Sequence, residues 1–140
     1  MTLICPDLSD IARYAVVENS AYRIMKRVLP GPYCFVLPAT REVPRILMKK
    51  RKTIGLRVPD SPVALALVRE LGTPLISTSA KWQGEEALND PADIVARFKG
   101  LEMVLDAGYG GLEPSTMLDL SVDPLEVIRE GAGPLEAVLG

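Results

Sequence analysis

The sequence predicts an α/β fold, an open β-sheet covered by helices. Two patterns carry that prediction: short apolar runs alternate with segments whose apolar residues recur at helical spacing, and at least two alternations read strand, helix, strand. Size agrees with them. A chain of 140 residues, 48% hydrophobic and 24% charged, is one ordinary globular domain able to bury a core.

The opening "MTLIC" reads as a strand with no polar lead-in. "PDLSDIARYAVV" offers Asp7 or Ser9 as N-cap of a short helix bearing Ile11, Tyr14 and Ala15. "NSAYRIMKRVLPGP" repeats the signal: Asn19 or Ser20 caps, Tyr22, Ile24, Met25 and Leu29 keep helical spacing, and Pro30-Gly31-Pro32 stops it. "YCFVL" is a strand bounded by Pro38. Residues 53 to 58 form another, preceded by the basic cluster Lys49, Lys50, Arg51, Lys52, a solvated loop or strand end. "SPVALALVRELG" is a helix with Ser61 as cap, Pro62 at its first position and Gly72 past its end. "PLISTSA" is a short strand opening into the polar loop "KWQGEEALND"; Asp90 caps and Pro91 begins the next helix, which Gly100 ends. "LEMVLDAG", "TMLDLS" and "LEVIREG" complete the expected strands. No repeat, low-complexity tract or linker divides the chain, so a single domain over 1–140 is expected.

Composition removes several chemistries. With no histidine and only Cys5 and Cys34, neither a Cys/His zinc site nor a histidine-dependent triad can be built. Two distant cysteines without a signal segment point to reduced thiols and a cytoplasmic protein. No apolar run approaches the ~18–20 residues of a membrane helix. A net charge of −2 supplies no global attraction to nucleic acid, so a polyanion must be met by local clusters.

Three loops at strand ends concentrate hydroxyls and glycines: "STSA" at 77–80, "DAGYGG" at 106–111 and "PST" at 114–116. Open sheets bind ligands at such ends, although serine and threonine there also serve turns, and "DAGYGG" is most simply a turn. Neither GxxxxGK[ST] nor GxGxxG is present. A nucleotide site would have to use hydroxyls from "STSA" and "PST" with the guanidiniums of Arg57 and Arg129. In strand 53–58, Thr53, Gly55 and Arg57 alternate with Ile54, Leu56 and Val58, so the first set shares a face. That face is either a solvated sheet surface or one wall of an anion site. Arg129, after Val127 and Ile128, is likewise an edge-strand surface charge or a ligand contact.

The ordered segments "PGPYCFVLPAT", "KRKTIGLRVPDSPVALALVRELGTPLISTSA", "DAGYGGLEPSTMLDLS" and "VIREGAG" resemble the YrdC/YciO family from end to end of the chain, through "PGPxTFxL", "GxRxP", "PST" and "RxG" elements. "KRKTIGLRVP" with "STS" is most similar to the YciO branch. The resemblance implies a YrdC-like twisted mixed β-sheet flanked by helices, a positively charged cavity, and affinity for nucleotide and double-stranded RNA. Characterised members are L-threonylcarbamoyladenylate synthases, which combine L-threonine, bicarbonate and ATP and release diphosphate on the way to threonylcarbamoyladenosine in tRNA. Carried over, Arg57 would hold the threonine carboxylate and Ser115 would contact threonine. Thr53, Ser79 and Arg129 would lie on the ATP side, with Mg²⁺ as possible companion.

Departures are equally legible. Lys81 replaces the asparagine of the family's "SAN", and Cys34 the threonine of "PGPxT". The family's N-terminal "KxR" and "PTxTxYGL" elements have no counterpart, so the expectation is a domain lacking its N-terminal segment, about a third of an ordinary domain. Three readings follow: a YciO-like nucleotide and RNA-binding protein, an active threonylcarbamoyl-AMP synthase, or a non-catalytic interaction module, with a homodimer possible. A module exposing apolar sheet surface would dimerise and bind no ligand.

Overall fold

In the computed structural model, residues 1–110 and 113–140 are described. Six strands form one mixed sheet: β1 (Thr2–Ile4), β2 (Tyr33–Pro38), β3 (Thr53–Arg57), β4 (Leu75–Ser77), β5 (Thr116–Asp119) and β6 (Glu126–Arg129), in the order β4-β1-β3-β2-β5-β6. The β1/β3 and β2/β5 pairs are parallel; β1/β4, β2/β3 and β5/β6 are antiparallel. The helices are α1 (Leu8–Tyr14), α2 (Asn19–Val28), α3 (Pro62–Leu71), α4 (Pro91–Arg97) and α5 (Glu136–Leu139).

Their ends follow the local chemistry. Asp7 caps α1 through Asp10 N–H at 2.8 Å, and Ser61 caps α3 through Ala64 N–H at 3.3 Å. Gly72 closes α3 at φ 78°, a left-handed cap that costs glycine little. Two ends differ from expectation: α4 closes at Phe98, whose N–H bonds the Ile94 carbonyl, two residues before Gly100, and α2 has Glu18 at its N-cap, without a side-chain bond, with Asn19 already helical. The extended backbone at Glu18 decides this, one residue before the side chains that favour the position.

Directly opposed residues share a face of the sheet. Register therefore puts Leu3, Leu56, Phe35 and Leu118 on one face. Ile11 from α1 and Ala15 at its C-cap, with Ala21, Met25 and Val138 from α2 and α5, join these four in one buried cluster. The other face carries Thr2, Ser77, Gly55, Arg57, Cys34, Met117, Asp119 and Arg129. β3 is more buried than a one-sided strand. Thr53 through Leu56 are all buried: Ile54 and Leu56 enter the core, while Thr2, Cys34 and the Lys49 stem stand beside Gly55 and the Thr53 hydroxyl bonds Lys50.

The expected strand over 101–108 is absent; among the described residues this stretch has no ladder partner. Leu101, Met103 and Leu105 do alternate, but all three are exposed, and alternation without a neighbouring strand leaves the backbone unpaired. Of "DAGYGG", residues 106–110 include a turn in which the Asp106 carboxylate accepts from Gly108 N–H at 2.9 Å, Gly108 having φ 90°. Gly111 lies outside the described residues.

The chain divides into two compact units, Met1–Ser77 with Pro114–Gly140, and Thr78–Glu113. The first contains the whole sheet. The second is built on α4, where Trp82 stacks on Phe98 at 5.2 Å, and Arg97 lies over the Trp82 ring and pairs with Glu85 at 2.8 Å.

Candidate ligand-binding site

Four of the sequence segments singled out above meet at one end of the sheet. Gly31 of "PGP" donates its N–H to the Val58 carbonyl at 3.0 Å, Thr116 of "PST" to Pro32 at 2.9 Å, and Ala132 after "REG" to Pro114 at 2.9 Å. Main-chain bonds thus join stretches far apart in sequence into one cluster. It is fastened by Thr116, fully buried, whose hydroxyl donates to the Gly133 carbonyl at 2.6 Å and accepts from Gly131 N–H at 3.0 Å. Tyr33 adds a bond from its hydroxyl to the Pro134 carbonyl at 2.8 Å.

Arg129 is drawn back over this cluster. Its Nε donates to the Ser115 carbonyl at 2.9 Å and its Nη2 to Ser115 Oγ at 3.2 Å. Two of the expected site residues, Arg129 and Ser115, are therefore direct partners. Half of the guanidinium is fixed by these bonds, which orients the remainder.

Arg57 closes β3, its main chain level with Ile4 and its carbonyl accepting from Cys5 N–H at 2.9 Å. The side chain is half-buried, and Nε is shut away from solvent with no hydrogen-bond partner among the described residues. A buried polar atom left unpaired costs about 1–3 kcal/mol, and native proteins rarely leave one without a reason.

The strands between these two arginines place Cys34 and Met117 on the same face, and Gly55 lies beside Cys34 in the floor. A Cβ built on Gly55 would stand 3.0 Å from Thr2 Cγ2 and 3.3 Å from both Cys34 Sγ and Lys49 Cε. The missing side chain is what lets the Lys49 stem lie close to the strand. Cys34 is 1% exposed. Burial pushes its thiol up, while the charges of Arg57, Lys49 and Arg129 pull it down without overcoming burial. The floor is thus neutral beneath three cations. Cys5, the other free thiol, is pushed up to about 12, mainly by burial and then by Asp10 and Asp7.

Thr53 lies at the opposite end of β3 from Arg57. It is buried, and its hydroxyl donates to the Lys50 carbonyl at 2.8 Å, closing the turn over Lys50–Lys52. Arg51 and Lys52 in that turn have φ of 62° and 54°. Left-handed backbone costs about 1–2 kcal/mol for such residues. Arg51 offsets part of it by pairing with Asp119 at 3.1 Å, whose other oxygen accepts from Ser121 N–H and Oγ. Ser79 belongs to the second compact unit, where it is exposed and its carbonyl accepts from Lys81 N–H at 2.9 Å.

Sequence reasoning missed the floor and its fasteners. Cys34 stood out only as a departure from a family threonine, and Thr116 only as the last letter of "PST". Among the described residues no cluster of acidic, cysteine or histidine side chains can hold a metal ion, and no helix is long and apolar enough to cross a membrane.

The Sua5/YciO/YrdC family model, described as telomere recombination, matches residues 1–131. The chain belongs to this family. An uncharacterised YciO protein of Escherichia coli is 45% identical over 99% of this chain and 68% of its own length. The crystal structure of E. coli YciO superposes with a TM-score of 0.93, covering 98% of this chain and 68% of that one. A putative threonylcarbamoyl-AMP synthase of Methanocaldococcus jannaschii is 33% identical over 97% of the chain and 64% of its own length. Sua5 of Pyrococcus abyssi, solved in complex with L-threonine, is 28% identical with a TM-score of 0.89, covering 96% of this chain and 41% of that one. This Sua5/YciO/YrdC member is therefore related to threonylcarbamoyl-AMP synthases, and its mixed sheet flanked by helices is that of the family.

Proposed function

We propose that the polar sheet face binds L-threonine and ATP, as a member of the threonylcarbamoyl-AMP synthase-related family. The observation that carries the reading is the buried, unpaired Nε–H of Arg57, a donor awaiting an acceptor. A carboxylate meets such a guanidinium through two parallel bonds, and Ser115, held by Arg129, supplies a hydroxyl nearby in the fold. The L-threonine complex of the P. abyssi relative supports the amino acid. ATP falls to Arg129, and Thr53 contributes through the turn it closes. Mg²⁺ would arrive on the nucleotide phosphates, since the described side chains offer it no cluster.

If the chain also catalyses synthesis, the reaction asks little covalent help from the protein. The threonine nitrogen bonds the bicarbonate carbon with loss of water, and an oxygen of the resulting carbamate attacks the ATP α-phosphorus as diphosphate leaves with the bonding pair. Arginines and hydroxyls perform the positioning and charge neutralisation this needs, without histidine. Calorimetric titration with ATP and Mg²⁺, with and without L-threonine, tests the binding reading. ATP should bind more tightly with threonine present; a folded chain that binds neither contradicts it.

A second reading, double-stranded RNA binding, is favoured by four consecutive exposed cations, Lys49 to Lys52. RNA affinity should then fall steeply as salt rises, each phosphate contact releasing a counterion. Affinity unchanged between about 50 and 200 mM salt would sink it.

A further inference from the structure

Lys49 belongs by sequence to a basic run, but the fold separates it from its neighbours. Its N–H donates to the Thr53 carbonyl at 2.6 Å, so the chain doubles back on itself between the two residues. The turn that achieves this contains Arg51 and Lys52 at positive φ, without glycine at either position. Three interactions hold it closed: this main-chain bond, the Thr53 hydroxyl on Lys50, and the Arg51–Asp119 pair. The result is that the Lys49 stem runs beside the open position at Gly55, which it shares with Cys34. Backbone strain held by several independent contacts clusters at functional positions.

We propose that Lys49 is a ligand-binding residue, the third cation of an anion site formed with Arg57 and Arg129, and that it takes the phosphate chain of a nucleotide. Three positive groups around a neutral floor suit a ligand with more than one negative charge. Arg57 alone suffices for a carboxylate, and Arg129 is half committed to Ser115. A lysine ammonium adds a mobile point charge that follows phosphate oxygens, while its stem stays packed on the strand. The inference rests on the proposed nucleotide reading and adds to it a residue and a ligand moiety.

The test is calorimetry with inorganic diphosphate, and separately with L-threonine, on the wild type, Lys49→Ala, Lys49→Gln and Lys49→Arg. Lys49→Gln removes the charge while keeping side-chain atoms as far out as the Cε that lies beside Gly55, and so separates charge from packing; circular dichroism checks each fold. Diphosphate affinity should fall about five- to tenfold in Lys49→Ala and Lys49→Gln and stay near wild type in Lys49→Arg, with threonine affinity changed less than about twofold. Wild-type binding of diphosphate with Lys49→Gln indistinguishable from it overturns the role of Lys49 alone. A wild type that binds threonine but no diphosphate overturns the phosphate assignment, and one that binds neither overturns the nucleotide reading as well.

Discussion

Replacing Arg57 with alanine is expected to weaken L-threonine binding about 10- to 100-fold while leaving the melting temperature unchanged or raised. The binding loss is the worth of one charge-assisted contact, about 1.5–3 kcal/mol, at about 1.4 kcal/mol per factor of ten. The stability side follows from the unpaired Nε. Removing a buried donor that has no partner relieves a desolvation cost of about 1–3 kcal/mol, which offsets the lost packing of the arginine stem. That combination separates a ligand contact from a structural one. A residue kept for the fold would lower both quantities, so a marked loss of stability with unchanged threonine affinity would refute the assignment.

Gly131→Ala is expected to lower both stability and binding. A Cβ there would drive into the Pro114 carbonyl oxygen and stand 2.9 Å from Ser115 C and O, all main-chain atoms without rotamer freedom. The loop after β6 must move away, breaking the Gly131 N–H bond to Thr116 and displacing Arg129 from Ser115. Overpacking of this kind costs about 3 kcal/mol, which in a chain of this size lowers the melting temperature by about 10 °C. ATP affinity measured well below the new midpoint should also fall. Unaltered binding in the folded variant would show that the Arg129–Ser115 pairing is not needed by the ligand.

The sequence made the helices legible where their ends carry specific chemistry. Ser61, Pro62 and Gly72 around α3 and the Asp90-Pro91 start of α4 encode their own boundaries. Residues 101–108 show the opposite case: alternation alone suggested a strand, but a strand exists only if another lies beside it, a property of the whole chain. The two-sided burial of β3 depended on the tertiary arrangement in the same way, since Thr2, Cys34 and the Lys49 stem cover Gly55 and the Lys50–Lys52 turn closes on Thr53.

The site was legible as a set of residues, through a family resemblance, but not as an arrangement. Arg57, Arg129 and Ser115 could be named from "GLRVP", "VIREG" and "PST". That Arg129 binds Ser115 across 14 residues follows from the β5/β6 register, which is interrupted between Met117 and Leu118. The direction of Lys49 was hidden for a related reason. Its turn places non-glycine residues at positive φ, and no turn motif in the sequence announces that.

The central claim is that the buried Nε–H of Arg57 is the donor for an L-threonine carboxylate. The most direct measurement follows the arginine Nε–H signals by ¹⁵N NMR as L-threonine is added, with the Arg57 signal assigned by its loss in Arg57→Lys. The account predicts a saturable shift of the Arg57 signal, with a smaller shift at Arg129 transmitted through Ser115. A folded chain in which L-threonine shifts other signals and leaves Arg57 in place, or shifts none at all, would contradict it.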